Sequence, residues 1–95
     1  MERDSIFKTL INKFGDKQMV VAIEELSELQ KELCKAIRGQ EVKENIIEEI
    51  ADVSIMLCQI MIYFEIEEAD VIKVMDKKIQ RTMNRLLGGE ENVSQ

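Results

Sequence analysis

The sequence predicts an all-α, antiparallel helical bundle with four helices per chain, the third of them central, completed by homo-oligomerisation. Three observations lead there. The 95 residues include no proline and only four glycines, so little interrupts a helical run. Apolar residues recur at three- and four-residue intervals through four segments, which is the helical period. The connections between these segments are only a few residues long, which makes consecutive helices antiparallel neighbours.

The first helix is predicted from Asp4 or Ser5 to Phe14, ended by Gly15. Asp16 is placed to cap a second helix running to about Arg38. Its apolar stripe is Met19, Ala22, Ile23, Leu26, Leu29, Leu33, Ala36 and Ile37, and Glu25, Glu28 and Glu32 border it. Glu24 falls on the far side, toward solvent. Gly39 suits the position just past the end, and Lys35 and Arg38 suit the negative pole of the helix dipole. The third helix, Val42 to Glu65, has two apolar faces. One is Ile46, Ile50, Val53, Leu57, Ile60 and Phe64, and the other is Ala51, Ile55, Cys58 and Ile62. A helix apolar nearly all round is buried on more than one side, so a second copy of the chain is expected to cover part of it. Asn45, Glu48, Glu49, Asp52 and Met56 fill the strip between the faces. The fourth helix, Glu68 to Leu87, carries Val71, Ile72, Met75, Ile79, Met83 and Leu86 or Leu87 at core spacing, with Gly88-Gly89 as its stop. Residues 1–89 form one predicted domain, and the polar tail 90–95 is expected to fray.

Composition bounds the function. A 45% hydrophobic content excludes disorder by composition. A net charge of −6 argues against a general binder of duplex nucleic acid. Met1-Glu2-Arg3-Asp4 is charged and no signal-like apolar run follows. The longest apolar run, Val53 to Phe64, contains Ser54 and Gln59 and is too short to span a bilayer. Cys34 and Cys58 lie inside helical patterns, resemble buried thiols and form no readable disulfide or metal motif. A cytoplasmic protein with no membrane partner is the expectation.

Two acidic pairs stand out: Glu25 with Glu28, and Glu49 with Asp52. Residues three apart share a helix face, and both pairs border apolar faces of consecutive antiparallel helices. If the helices face each other, four carboxylates converge. Two like charges ~4 Å apart repel by roughly 4 kcal/mol at an effective dielectric of ~20, so the cluster calls for a cation or for bound protons. With no histidine and no suitable cysteine, the donor set is all oxygen, which suits Mg²⁺, with Mn²⁺ as a substitute. Such a centre holds a phosphate chain and lowers the pKa of a bound water. On the fourth helix, Lys78, Arg81 and Arg85 form a basic ridge suited to phosphate oxygens. Taken alone, each acidic pair is more often a solvated face, and the ridge more often a surface; the conjunction gives them meaning.

That conjunction resembles the MazG-like, all-α nucleoside triphosphate pyrophosphohydrolase superfamily. The family pattern is Glu-x-x-Glu, a spacer, then Glu-x-x-Asp. Here Glu25-x-x-Glu28 precedes Glu49-x-x-Asp52 by 20 intervening residues. Phe14-Gly15, Gln18 and the Lys78-Ile79-Gln80-Arg81 element also match. The resemblance covers about Phe14 to Leu87. It implies a helical homodimer or homotetramer and Mg²⁺ held by Glu25, Glu28, Glu49 and Asp52. It implies cleavage of a (d)NTP between its α and β phosphates, giving a monophosphate and pyrophosphate. Glu48 would assist as a water-orienting carboxylate, with Lys78, Arg81 and Arg85 on the phosphates. Several relatives grip the base with Trp or His, and this chain has neither. A related branch acts on phosphoribosyl-ATP. The rival from another class is a non-catalytic helical oligomerisation or regulatory module, its acids paired with Lys and Arg of neighbouring helices.

Overall fold

The structure is a computed structural model and describes residues 2–88. It contains four helices and, among the described residues, no strand: α1 (Arg3–Phe14), α2 (Asp16–Ile37), α3 (Lys43–Tyr63) and α4 (Glu68–Gly88). Gly88 closes α4 as its last residue, while Gly89 and the expected frayed tail lie outside the described residues. No helix among the described residues is long and apolar enough to cross a membrane. The chain divides into two compact units, one through Glu65 and one from Ile66 onward.

In the first unit α2 packs chiefly on α3, and α1 lies against both. Phe7, Ala22, Val53 and Met56 are its buried apolar residues. The buried face of α3 is Val53, Met56 and Gln59, so the narrow polar strip read from the sequence is the face turned to α2. The broad apolar faces on either side stay half open: Ile50, Leu57 and Phe64 are 51%, 48% and 59% exposed.

The helix ends have local causes. Gly15 sits at φ 53°, ψ −123°, a conformation only glycine adopts without strain. Its N–H reaches the Ile11 carbonyl at 2.8 Å, and its own carbonyl accepts from the Gln18 N–H at 2.9 Å. The chain thus passes from α1 to α2 through a single residue. Asp16 is the first residue of α2 rather than its cap, and its carboxylate accepts a hydrogen bond from the Tyr63 hydroxyl of α3. At the other end of α2, the Gly39 N–H bonds the Ala36 carbonyl and the Gln40 N–H bonds the Lys35 carbonyl. That pair of bonds around a glycine at φ 90° is a Schellman closure.

The second unit is α4 with its lead-in. Asp70 N–H bonds the Glu67 carbonyl at the helix start. Val71, Ile72, Met75, Ile79 and Met83 are each between 38% and 54% exposed, and Lys78 and Arg85 are half-buried.

No atom lies within 4 Å of a Cβ added at Gly15 or Gly39, so alanine there changes backbone strain and nothing else. Gly39→Ala is expected to cost about 1 kcal/mol. Gly15→Ala is expected to cost more, about 1–3 kcal/mol. Thermal denaturation of the two variants checks both the sizes and their order.

Candidate metal centre

Two antiparallel helices expose matching positions to each other when their apolar patterns match in period. Here the matching is carried by polar pairs. Gln18 faces Gln59, with Nε2 donating to Oε1 at 2.7 Å. Glu25 faces Asp52, a carboxylate oxygen of each lying within 4.8 Å of the other. Glu32 faces Asn45, whose Nδ2 donates to Oε1 at 3.1 Å. Each step of seven residues up α2 is answered by seven residues down α3. Seven residues are two helical turns, the repeat that keeps one seam facing a partner helix. The acidic centre is the middle rung of three.

At that rung Glu25, Glu49 and Asp52 each offer an oxygen, all within 4.8 Å of one another. Glu25 and Glu49 are half-buried and Asp52 is exposed. The Oε2 of Glu49 is buried and has no hydrogen-bond partner, an unfavourable state for a carboxylate oxygen. Contact with Asp52 raises the Glu25 pKa above the ordinary carboxylate value; burial and the charges of Asp52, Glu49 and Glu28 add to this. Burial raises that of Glu49, helped by the charges of Asp52, Glu28, Glu32 and Glu48. The largest influences on these two groups all point the same way, and among the described residues neither carboxylate forms an ion pair with a lysine or arginine.

Three of the four sequence-predicted ligands therefore meet. Glu28 is exposed and outside the closest group, although its charge acts on Glu25 and Glu49. Glu48 is exposed and acts on Glu49 in the same way. Lys78, Arg81 and Arg85 lie on α4, in the second unit.

Sequence reasoning left Glu32 out of the centre. It is 6% exposed, buried at the third rung, and its two oxygens are held by Lys35 Nζ at 3.0 Å and by Asn45. The hydrogen bond from Lys35, then that from Asn45, lowers its pKa. Gln18, which taken alone reads as surface, is half-buried on its bond to the nearly inaccessible Gln59. The signal for both residues was the seven-residue spacing from Glu25.

No protein-family model, curated protein or solved structure matches this chain.

The electrostatics set a pH dependence. Carboxyls with raised pKa bind protons more tightly folded than unfolded, so they favour the fold at low pH. Their contribution is lost as pH rises from the ordinary value near 4.5 through the raised ones. Glu32 acts oppositely: its contribution is full above about 4.5 and disappears as pH falls through its lowered value. In chelator, the melting temperature should therefore be higher near pH 5 than at neutral pH. Glu49→Gln should remove part of that decline and melt several degrees above the parent at neutral pH. Differential scanning calorimetry across pH decides this; a variant less stable than its parent in chelator would contradict the arrangement.

Proposed function

We propose that this chain is a Mg²⁺-dependent nucleotide pyrophosphohydrolase that cleaves a (d)NTP between its α and β phosphates. The observation that carries the proposal is the Glu25–Glu49–Asp52 group with its orphaned Glu49 Oε2. Buried like charges without a counter-ion are unstable, and a divalent cation relieves both the repulsion and the missing partner. The residues fit that ion. The donors are carboxylate oxygens only, and oxygens around octahedral Mg²⁺ stand roughly 3–4 Å apart, close to the separations among these three groups. Glu28 would supply a further oxygen from the rim of the site.

When bound, the ion would neutralise phosphate charge and activate water for attack on phosphorus. The chain's residues do the rest. Glu25, Glu49 and Asp52 fix the place where phosphates sit. Glu48, one residue before Glu49, would accept a proton from the attacking water. Lys78, Arg81 and Arg85 would hold the outgoing phosphates, Lys as a point charge and Arg through its planar fork. A homodimer or homotetramer would cover the apolar faces of α3 and a trough lined by Met19, Ile23, Leu26, Ile60 and Phe64, beside Ala22. The same centre would serve a phosphoribosyl-nucleotide substrate. A purely structural module would pair its acids with cations; among the described residues of this unit only Glu32 does so.

Assay of pyrophosphate and monophosphate release from a panel of NTPs and dNTPs with Mg²⁺ tests the reaction. Activity lost by at least about a hundredfold in Glu49→Gln is expected, the scale of losing a group that stabilises transition-state charge. Full, metal-dependent activity in that variant would end the proposal. Saturating Mg²⁺, at about a hundred times its Kd, should stabilise the parent by about 2.7 kcal/mol, or roughly 10–20 °C. Glu49→Gln should respond little.

A further inference from the structure

Lys35 stands to Glu32 as Glu28 stands to Glu25: three residues on, at the same edge of the α2–α3 seam. Seven residues advance a helix by about 10 Å, so the Glu32 rung lies two turns along the seam from the acidic centre. The charge of Glu32 acts on Glu49, which puts the two rungs within electrostatic reach of each other. Over that distance the sign of the seam's edge changes. Glu32 is buried and both its oxygens are engaged, one by Lys35 Nζ at 3.0 Å and the other by Asn45 Nδ2 at 3.1 Å. Lys35 keeps 28% of its side chain accessible, against 8% for Glu32. A fully exposed pair of this spacing contributes little to stability; here the carboxylate is inside and the ammonium reaches the surface. Of the three ammonium N–H groups one goes to Glu32, and the exposed Asn45 amide has a second N–H besides the one it gives Glu32. Lys31, also exposed, adds positive charge beside Glu32. Helical side chains lean toward the N-terminus, which carries the Lys35 ammonium back over Glu32, in the direction of the acidic centre.

We infer that Lys35 and Asn45, oriented by Glu32, form a phosphate subsite within the first unit. It takes the terminal phosphate of a chain whose inner phosphates lie on Glu25, Glu49 and Asp52. The inference rests on the pyrophosphohydrolase reading and adds to it a phosphate grip from α2 and α3 themselves. A single phosphate at the acidic centre does not span two helical turns, whereas an extended chain of three, with a hydrogen bond at its far end, does. The ammonium supplies a point charge to the outermost oxygens, and hydrogen bonds between ionised partners are the stronger kind. Glu32 is a positioning residue: it touches no substrate, but one oxygen holds the lysine and the other the asparagine. The subsite selects by chain length, favouring a triphosphate over a monophosphate whatever base it carries.

The double variant Glu32→Gln with Lys35→Gln tests this. It removes one charge of each sign, so the net charge beside the acidic centre is unchanged. It also replaces the ion pair by an amide pair of the kind that Gln18 and Gln59 form. Isothermal titration calorimetry on the full-length chain measures Mg²⁺ first, then inorganic tripolyphosphate and orthophosphate in saturating Mg²⁺. The double variant should bind Mg²⁺ and orthophosphate within about twofold of the parent, and tripolyphosphate about tenfold to a hundredfold more weakly, the scale of a lost hydrogen bond to a charged group. Lys35→Arg, which keeps the charge, should stay within a few-fold of the parent for all three. In the parent itself, the NMR signal of the Lys35 side chain, assigned by its absence from Lys35→Arg, should shift with tripolyphosphate and not with orthophosphate. That reading holds even where the double variant fails to fold. Unchanged tripolyphosphate affinity in the double variant, or an unmoved Lys35 signal, would make this rung purely structural and refute the subsite, with the metal centre left standing. Equal losses for tripolyphosphate and orthophosphate would mean that Lys35 acts on the centre itself, which also overturns the inference. If the parent binds no Mg²⁺, or binds it and then neither phosphate, the pyrophosphohydrolase reading falls and takes the subsite with it.

Discussion

The rest of the first unit is arranged around one electrostatic constraint: three carboxylates from two antiparallel helices are held facing one another with no ion-paired cation among the described residues. Helices can be brought together on a purely apolar seam at far lower electrostatic cost. Here the middle rung of the seam is Glu25 against Asp52, with Glu49 beside them and one of its oxygens buried and unbonded. The fold tolerates this because the rungs two turns away are satisfied. Gln18 and Gln59 form a neutral amide pair at one end. At the other, Glu32 is neutralised by Lys35 and bonded by Asn45. Those pairs fix the register, and a slip of one residue would turn all three rungs off the seam together.

On the proposed reading, stability and cation binding would be opposing quantities at the same atoms. The features that destabilise the metal-free chain, burial and mutual repulsion at Glu25 and Glu49, are those that a divalent cation would reverse. Glu32 sharpens the contrast. It is more buried than any member of the acidic group, yet its pKa is lowered rather than raised, because an ammonium and an amide reach it. Burial alone therefore does not raise a carboxyl's pKa; burial without a partner does.

Much of this was legible in the sequence. The helix count, the glycines that end α1 and α2, and the meeting of Glu25, Glu49 and Asp52 follow from helical periodicity and one-turn spacing. Other features were hidden for physical reasons. Glu28 shares a face with Glu25 but lies about one turn along and roughly 60° around, and it is exposed outside the closest group. Asp16 has the side chain of a cap, but Gly15 makes the turn through its backbone and leaves the carboxylate for Tyr63. Gln18 and Glu32 look like surface residues one at a time; only their seven-residue spacing from Glu25, mirrored by Asn45 and Gln59 about Asp52, marks them as seam. The two apolar faces of α3 were expected to need more cover than four short helices provide, and in a single chain Ile50, Leu57 and Phe64 do remain about half exposed.

The central claim is that the seam between α2 and α3 is a preformed divalent-cation site, and paramagnetic relaxation by Mn²⁺ tests it directly. In an ¹⁵N-labelled sample, substoichiometric Mn²⁺ should broaden the amide signals around Glu25, Glu49 and Asp52 first, and excess Mg²⁺ should restore them. Glu49→Gln should lose the effect. Broadening spread evenly over the acidic surface, or centred away from this seam, would contradict the claim.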